Sequence, residues 1–198
     1  MKTLSVVLLL LASVAFVLVG CSDNSAVPVT PTEQLAAPGS MEKSSKAYFT
    51  CTEAHDFFDL ASARIWQAGG ILQMRNVHAF EDVTASDSRV TGRMEHYLSL
   101  SLNVVTGEGP CHGSWTLVPS DPNVTGVWEG TYEGYRSRTE NSYVFTLPLK
   151  LEGHGRGGSI DGMKSSMKIT LIVLTAPAIF PAPYDWSGLD GTGIIIEH

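Results

Sequence analysis

The sequence predicts an all-β protein, an eight-stranded antiparallel β-barrel behind an N-terminal leader and a tether, and three observations predict it. Long stretches alternate apolar and polar residues with period two, the pattern of a strand with one buried face. Glycine-rich turns separate those stretches. The chain's 19 glycines and 10 prolines suit turns and strands, not a helix bundle, where an interior glycine costs about 1 kcal/mol and a proline about 3. Low charge, 17% Asp, Glu, Lys and Arg against 43% hydrophobic residues, leaves enough apolar surface for one core in a chain of 198 residues.

Residues 1–20 stand outside the barrel. Met1-Lys2 is a short positive start, and Leu4 to Val19 is an apolar run broken only by Ser5 and Ser13, which is a signal peptide in outline. The run is short of the ~20 residues a membrane-spanning helix needs. It ends in Leu18-Val19-Gly20-Cys21, which resembles the lipobox of bacterial lipoproteins: an aliphatic residue, a small residue before the cut, then the lipid-bearing cysteine. The resemblance implies that Cys21 becomes the first residue and carries a diacylglyceryl group and acyl chains such as palmitate, anchoring the chain to a membrane of the cell envelope. In that family an aspartate directly after the cysteine tends to mean inner-membrane retention. Ser22 stands there, with Asp23 next, which points to the outer membrane. Pro28, Pro31 and Pro38 among small polar residues make 21–45 a lipidated end and flexible tether, reaching at most ~3.3–3.6 Å per residue. With 20 acidic against 13 basic side chains, the chain lacks the basic footprint of a nucleic-acid binder.

Residues 46–198 are then the barrel, a size that suits one domain. The candidate strands in order are Ala47–Glu53, Ile71–Val83, Val90–Val104, Gly113–Val118, Gly126–Thr139, Tyr143–Glu152, Met163–Val173 and Thr192–Glu197. The third alternates most clearly: Met94, His96, Leu98, Leu100 and Leu102 share one face, and Arg93, Glu95, Ser99, Ser101 and Asn103 the other. In the fifth, Trp128, Gly130, Tyr132 and Gly134 oppose Glu129, Thr131, Glu133 and Tyr135. His55 to Ala68, with Phe57, Phe58, Leu60 and Ile65, is the one helical-looking piece, a loop turn being the other reading. The proline-rich segment Ala176 to Trp186 should leave the sheet and cover the barrel's end or outside. Strands of this length favour full closure, which removes exposed edges.

Three motifs in this order, Thr84-Ala85-Ser86-Asp87-Ser88-Arg89-Val90-Thr91-Gly92, Gly126-Val127-Trp128-Glu129-Gly130-Thr131-Tyr132-Glu133-Gly134 and Gly153-His154-Gly155-Arg156-Gly157-Gly158-Ser159-Ile160-Asp161-Gly162, resemble bacterial proteins with an allene oxide cyclase-like barrel. The resemblance spans about Ala47 to Leu174 and extends to plant allene oxide cyclases and dirigent proteins. It implies an eight-stranded barrel of lipocalin-like shape, a cavity for an apolar or reactive guest, and a homo-oligomer. In the plant enzymes a buried glutamate, a cysteine and an ordered water steer an unstable epoxide. That set does not align with particular residues here, so the activity is not carried over.

Chemistry-bearing residues are few. With Cys21 lipidated, Cys51 and Cys111 remain in an oxidising compartment, and one disulfide is the simplest use of the pair; unpaired structural thiols are the next reading. Its loop of roughly 60 residues would contribute on the order of 4 kcal/mol. A nucleophilic Cys111 activated by His112 is disfavoured, because neighbours on a strand face opposite ways. Glu129 and Glu133 share one face about 13 Å apart, too far for a glycosidase pair at ~5–9.5 Å. None of the six histidines forms a close metal-binding pair, and no metal or cofactor is expected. His96 stands out, a histidine on an otherwise apolar face. The candidate cavity residues are Met94, His96, Leu98, Phe145 and Met167. The resulting expectation is a membrane-anchored, non-catalytic barrel that binds a small apolar ligand or an envelope partner. The alternative is a cyclase or isomerase using Glu129 or His96 as a single acid or base.

Overall fold

The computed structural model describes residues 44–198; the leader, Cys21 and all but the end of the tether lie outside the described residues. Nine strands follow one another: β1 (Ser45–Asp59), β2 (Arg64–Ala68), β3 (Ile71–Ala85), β4 (Gly92–Asn103), β5 (Gly109–Pro119), β6 (Val127–Arg138), β7 (Val144–Arg156), β8 (Lys164–Thr175) and β9 (Pro183–Glu197). From β3 to β9 each strand pairs antiparallel with the next, β9 pairs with β1, and β1 pairs with β3. That ring is a closed eight-stranded barrel, as the alternation predicts. The ninth strand, β2, pairs only with β3, along Ile71–Arg75, just where β1 no longer reaches.

Two readings of the sequence need correction. His55–Ala68 is not helical: β1 continues to Asp59, and β2 follows a short turn. The β1–β3 register slips between His55 and Phe57, and such a bulge shifts the phase of the alternation, so the period-two signal is lost although the strand persists. The proline-rich segment leaves the sheet only as far as Ala182. Pro183 opens β9 opposite Thr175, at a strand's first residue, where its missing N–H is tolerated. The part that does leave the sheet, with a single 3₁₀ turn at Pro177–Ile179, carries Phe180 onto Tyr143 and Phe145.

Alternation decides what lies inside. Phe49 and Cys51 of β1, Met94 to Leu102 of β4, Leu147 to Leu151 of β7 and Met167 to Val173 of β8 present every second residue to one continuous core. Towards the end formed by the β3–β4, β5–β6 and β7–β8 connections lie the buried Val90, Trp128 and Ile160. There the Trp128 indole donates to the Arg89 carbonyl at 2.7 Å, and Arg89 pairs with Asp87 at 2.7 Å and with Glu197, tying the last strand to the β3–β4 connection. Several strand glycines, expected to mark turns and bends, serve a different purpose. A Cβ on Gly130 or Gly153 would lie 2.7 Å or 2.5 Å from the Trp115 indole, so both positions make room for that ring.

Candidate functional site: a buried polar cluster beside a small cavity

Among the described residues, two glutamates, a histidine and an arginine sit at core positions in the midst of this apolar lattice. Glu53 follows Phe49 and Cys51 on the inner face of β1, Glu81 follows Val77 and Ala79 on β3, and His96 lies between Met94 and Leu98 on β4. Arg136 closes the inner row Trp128, Tyr132 of β6. Each is 3% exposed or less.

Cross-strand register brings three of them together. Glu53 faces Val83, and Glu81 faces Met94, so Glu53 and His96 are diagonal neighbours of Glu81 on either side. His96 Nε2 lies 3.2 Å from Glu81 Oε2, and the Trp186 indole N–H donates to Glu81 Oε1. Burial works against the Glu81 charge, but the pull of His96 and the bonds around the carboxylate outweigh it and hold its pKa below the usual range. Glu53 behaves in the opposite way. Burial, reinforced by the Glu81 charge, drives its pKa well above 4.5, so it is a neutral acid beside an ionised one.

The cluster borders a cavity of about 30 Å³, lined by Leu98, Leu100, Leu147, Leu149, Leu171, Val173 and Pro183, with Glu81, His96, Cys111, Tyr132, Arg136 and Trp186 as its polar and aromatic wall. That is room for about two waters. The Tyr132 ring meets the His96 ring edge-on, with centroids 5.4 Å apart, and packs where a Cβ on Gly113 would stand 2.5 Å from its hydroxyl. Burial pushes the Tyr132 hydroxyl well above its usual pKa.

Arg136 is held differently. Nη1 donates to the Pro181 carbonyl at 2.8 Å, and Cζ lies 3.8 Å from the centre of the Phe145 ring, a close cation–π contact. Nε and Nη2 have no hydrogen-bond partner. Burial lowers its pKa from 12.5 to about 10.

Of the residues singled out from sequence, His96 and Leu98 line the cavity; Met94, Phe145 and Met167 are core residues that fill the barrel. Glu129 points outward, because it has the opposite parity to Trp128 and Tyr132, and it pairs with Arg156 at 2.5 Å on the surface. It has no access to the interior. The disulfide is also corrected: Cys51 and Cys111 are separate buried thiols. Cys51 is on β1 and Cys111 on β5, with β3 and β4 between them along the shorter path. Cys51 Sγ contacts Met167 Sδ at 3.2 Å, whereas Cys111 lines the cavity. Burial raises both thiols to about 12, so neither is a nucleophile at neutral pH. His112 faces away from Cys111, as alternation requires.

Sequence reasoning missed Glu53, Glu81, Tyr132, Arg136 and Trp186. The signal for Glu53, Glu81 and Arg136 was the same as for His96, a charged or titratable residue at the apolar parity of a strand. Among the described residues, no group of three or more His, Cys, Asp or Glu is arranged to hold a metal ion.

Fold and site thus define a closed antiparallel barrel with a polar cluster in its core and a small apolar cavity beside it. Comparison of the chain with protein-family models, curated proteins and solved structures found no match.

Proposed function

We propose that this chain is a lipid-anchored protein of the bacterial cell envelope whose barrel is a non-catalytic binding module for a small, largely apolar ligand. The observation that carries the reading is the cavity itself. Lined by leucines and valine, it meets a few convergent polar groups, which is the usual composition of a small-molecule site. Its resting volume of about 30 Å³ is far below the ~300–1,000 Å³ of a drug-sized pocket, so the guest is small or the Phe180 segment yields to admit it. Leu18-Val19-Gly20-Cys21 supports the anchor, and the acyl chains would supply about 0.8 kcal/mol per buried methylene. The order of glycine motifs that resembles the allene oxide cyclase-like barrel supports a guest-holding interior.

Two measurements test it. Full-length chain purified from bacterial membranes should carry the mass of lipid on its N-terminal cysteine, and Cys21→Ser should leave it in the soluble fraction. Native mass spectrometry after soaking with small apolar compounds should show a stoichiometric adduct. Absence of any adduct across the set would end the ligand-binding reading.

One observation favours a second reading, an isomerase or cyclase. His96 and Glu81 touch the cavity and each other, an acid–base pair placed where a reactive guest would sit. That reading requires accelerated turnover of a reactive epoxide, lost in His96→Gln. Binding without turnover excludes it.

A further inference from the structure

The interior holds one cation whose bonding is incomplete. Arg136 is fully buried, and among the described residues no carboxylate pairs with it. A guanidinium has five N–H donors and does not give up its charge in proteins, so burying it with most of them idle is costly unless something completes the set. The idle atoms are not scattered. Nη1 is occupied by the Pro181 carbonyl and one face by the Phe145 ring, leaving Nε and Nη2. These two nitrogens form the side edge of the guanidinium, where parallel N–H bonds match the two oxygens of a carboxylate. Phe145 and Pro181 fix the plane of the fork, so little side-chain entropy remains to be lost on binding.

We infer that Arg136 is the anchor for a short-chain monocarboxylate, bound bidentately through Nε and Nη2 with its alkyl tail against the leucines of the cavity. The inference rests on the binding-module reading above and names the chemical class of its ligand. Three features select this class. At rest the cavity accommodates about two water-sized atoms beside Arg136, the size of a carboxylate head, and the alkyl tail enters as the Phe180 segment yields. A single counter-charge is called for, because Arg136 carries one charge, and the excess charge of a phosphate or sulfate dianion would be left unpaired and repelled by Glu81 on the same wall. Most of the remaining wall, Leu98, Leu100, Leu147, Leu149, Leu171 and Val173, is apolar and suits an alkyl tail, with Glu81, His96, Tyr132 and Trp186 beside it.

The alternative occupant of the fork is a pair of waters, and the two differ in what they predict. Full-length chain in detergent would be titrated with butyrate and, separately, with 1-butanol at constant ionic strength, following thermal stability and calorimetric heat. Butyrate should raise Tm in a concentration-dependent way and bind about ten- to a hundredfold more tightly than butanol, the usual worth of a charge-assisted bond. Arg136→Met should fold, because it replaces an under-bonded buried charge with a side chain that suits the cavity, and should lose the preference for butyrate. Arg136→Lys, which keeps the charge without the fork, should weaken butyrate about tenfold and leave butanol unchanged. Equal binding of butyrate and butanol, or a butyrate preference that survives in both variants, overturns the role of Arg136 while leaving an apolar binding module in place. If neither probe nor any other small apolar compound binds, the binding-module reading falls and this inference with it.

Discussion

His96 Nε2 lies 3.2 Å from Glu81 Oε2 at the centre of the barrel, both residues being 3% exposed or less. Removing one member of a buried pair leaves the other uncompensated, which costs about 3–5 kcal/mol. His96→Ala should therefore destabilise the barrel by that order at neutral pH. The sign of the pH effect follows from Glu81, whose folded pKa is depressed. Its contribution is present above the unfolded value of 4.5 and is lost as pH falls through the folded value. Denaturant titrations of wild type and variant should therefore diverge most above about pH 5 and converge in acid, where Glu81 is neutral in both states. A gap that stays constant from neutral pH down into strong acid would show that His96 acts only as packing.

Glu53 predicts the reverse. Its folded pKa is raised by burial and then by the Glu81 charge, so its favourable contribution is complete below 4.5 and is lost as pH rises towards the folded value. Glu53→Gln keeps the neutral shape and removes the ionisation. The variant should match wild type in acid and exceed it at pH 7–8, each unit of elevation being worth about 1.4 kcal/mol, or roughly 3–6 °C in Tm for a domain of this size. Thermal melts of the two proteins across that range provide the check; a Gln variant less stable than wild type at pH 8 would contradict it.

Both thiols should be silent in the native protein. Burial lifts Cys51 and Cys111 to about 12, leaving almost no thiolate at pH 8, and neither is bonded to the other. A thiol-specific chromogenic reagent should therefore react with neither before unfolding and with both in denaturant, and a reductant should leave Tm unchanged. A Tm that drops on reduction would instead reveal a disulfide.

The closed barrel was legible because parity is a local property. Met94, His96, Leu98 and Leu100 announce an inner face without reference to any other strand. The pairing of Glu81 with His96 is not local. It depends on Ala79 facing His96 and Glu81 facing Met94, a register that no spacing within one strand encodes. The same parity rule, applied to Arg136 as it was to His96, would have placed the guanidinium inside; its proximity to Pro181, 45 residues away, could not have been read that way. At β1 the rule failed for a physical reason, since the bulge after His55 changes which face later residues take. The disulfide expectation failed because a count of cysteines carries no information on which strands bear them.

Trp115 and Gly153 offer a test of how the strand glycines work. A Cβ on Gly153 would stand 2.5 Å from Cζ2 and 2.8 Å from Cη2 of the indole, with Ser165 Oγ at 3.0 Å as the next neighbour, so the obstruction is the ring and not the backbone. Gly153→Ala alone overpacks the core and should cost about 1–3 kcal/mol. Trp115→Leu alone leaves a void and should cost about 3 kcal/mol. Combined, the methyl enters space that the indole has vacated, so the double variant should be more stable than the sum of the two losses allows, by 0.5 kcal/mol or more on the order usual for contacting residues. Gly130→Ala should be rescued less well by the same Trp115 change, because its Cβ would also run into the Glu152 carbonyl, which the leucine does not move. Chemical denaturation of the single and double variants measures both couplings. If Gly153→Ala costs the same with leucine as with tryptophan at position 115, the glycine is required by the backbone and not by the ring.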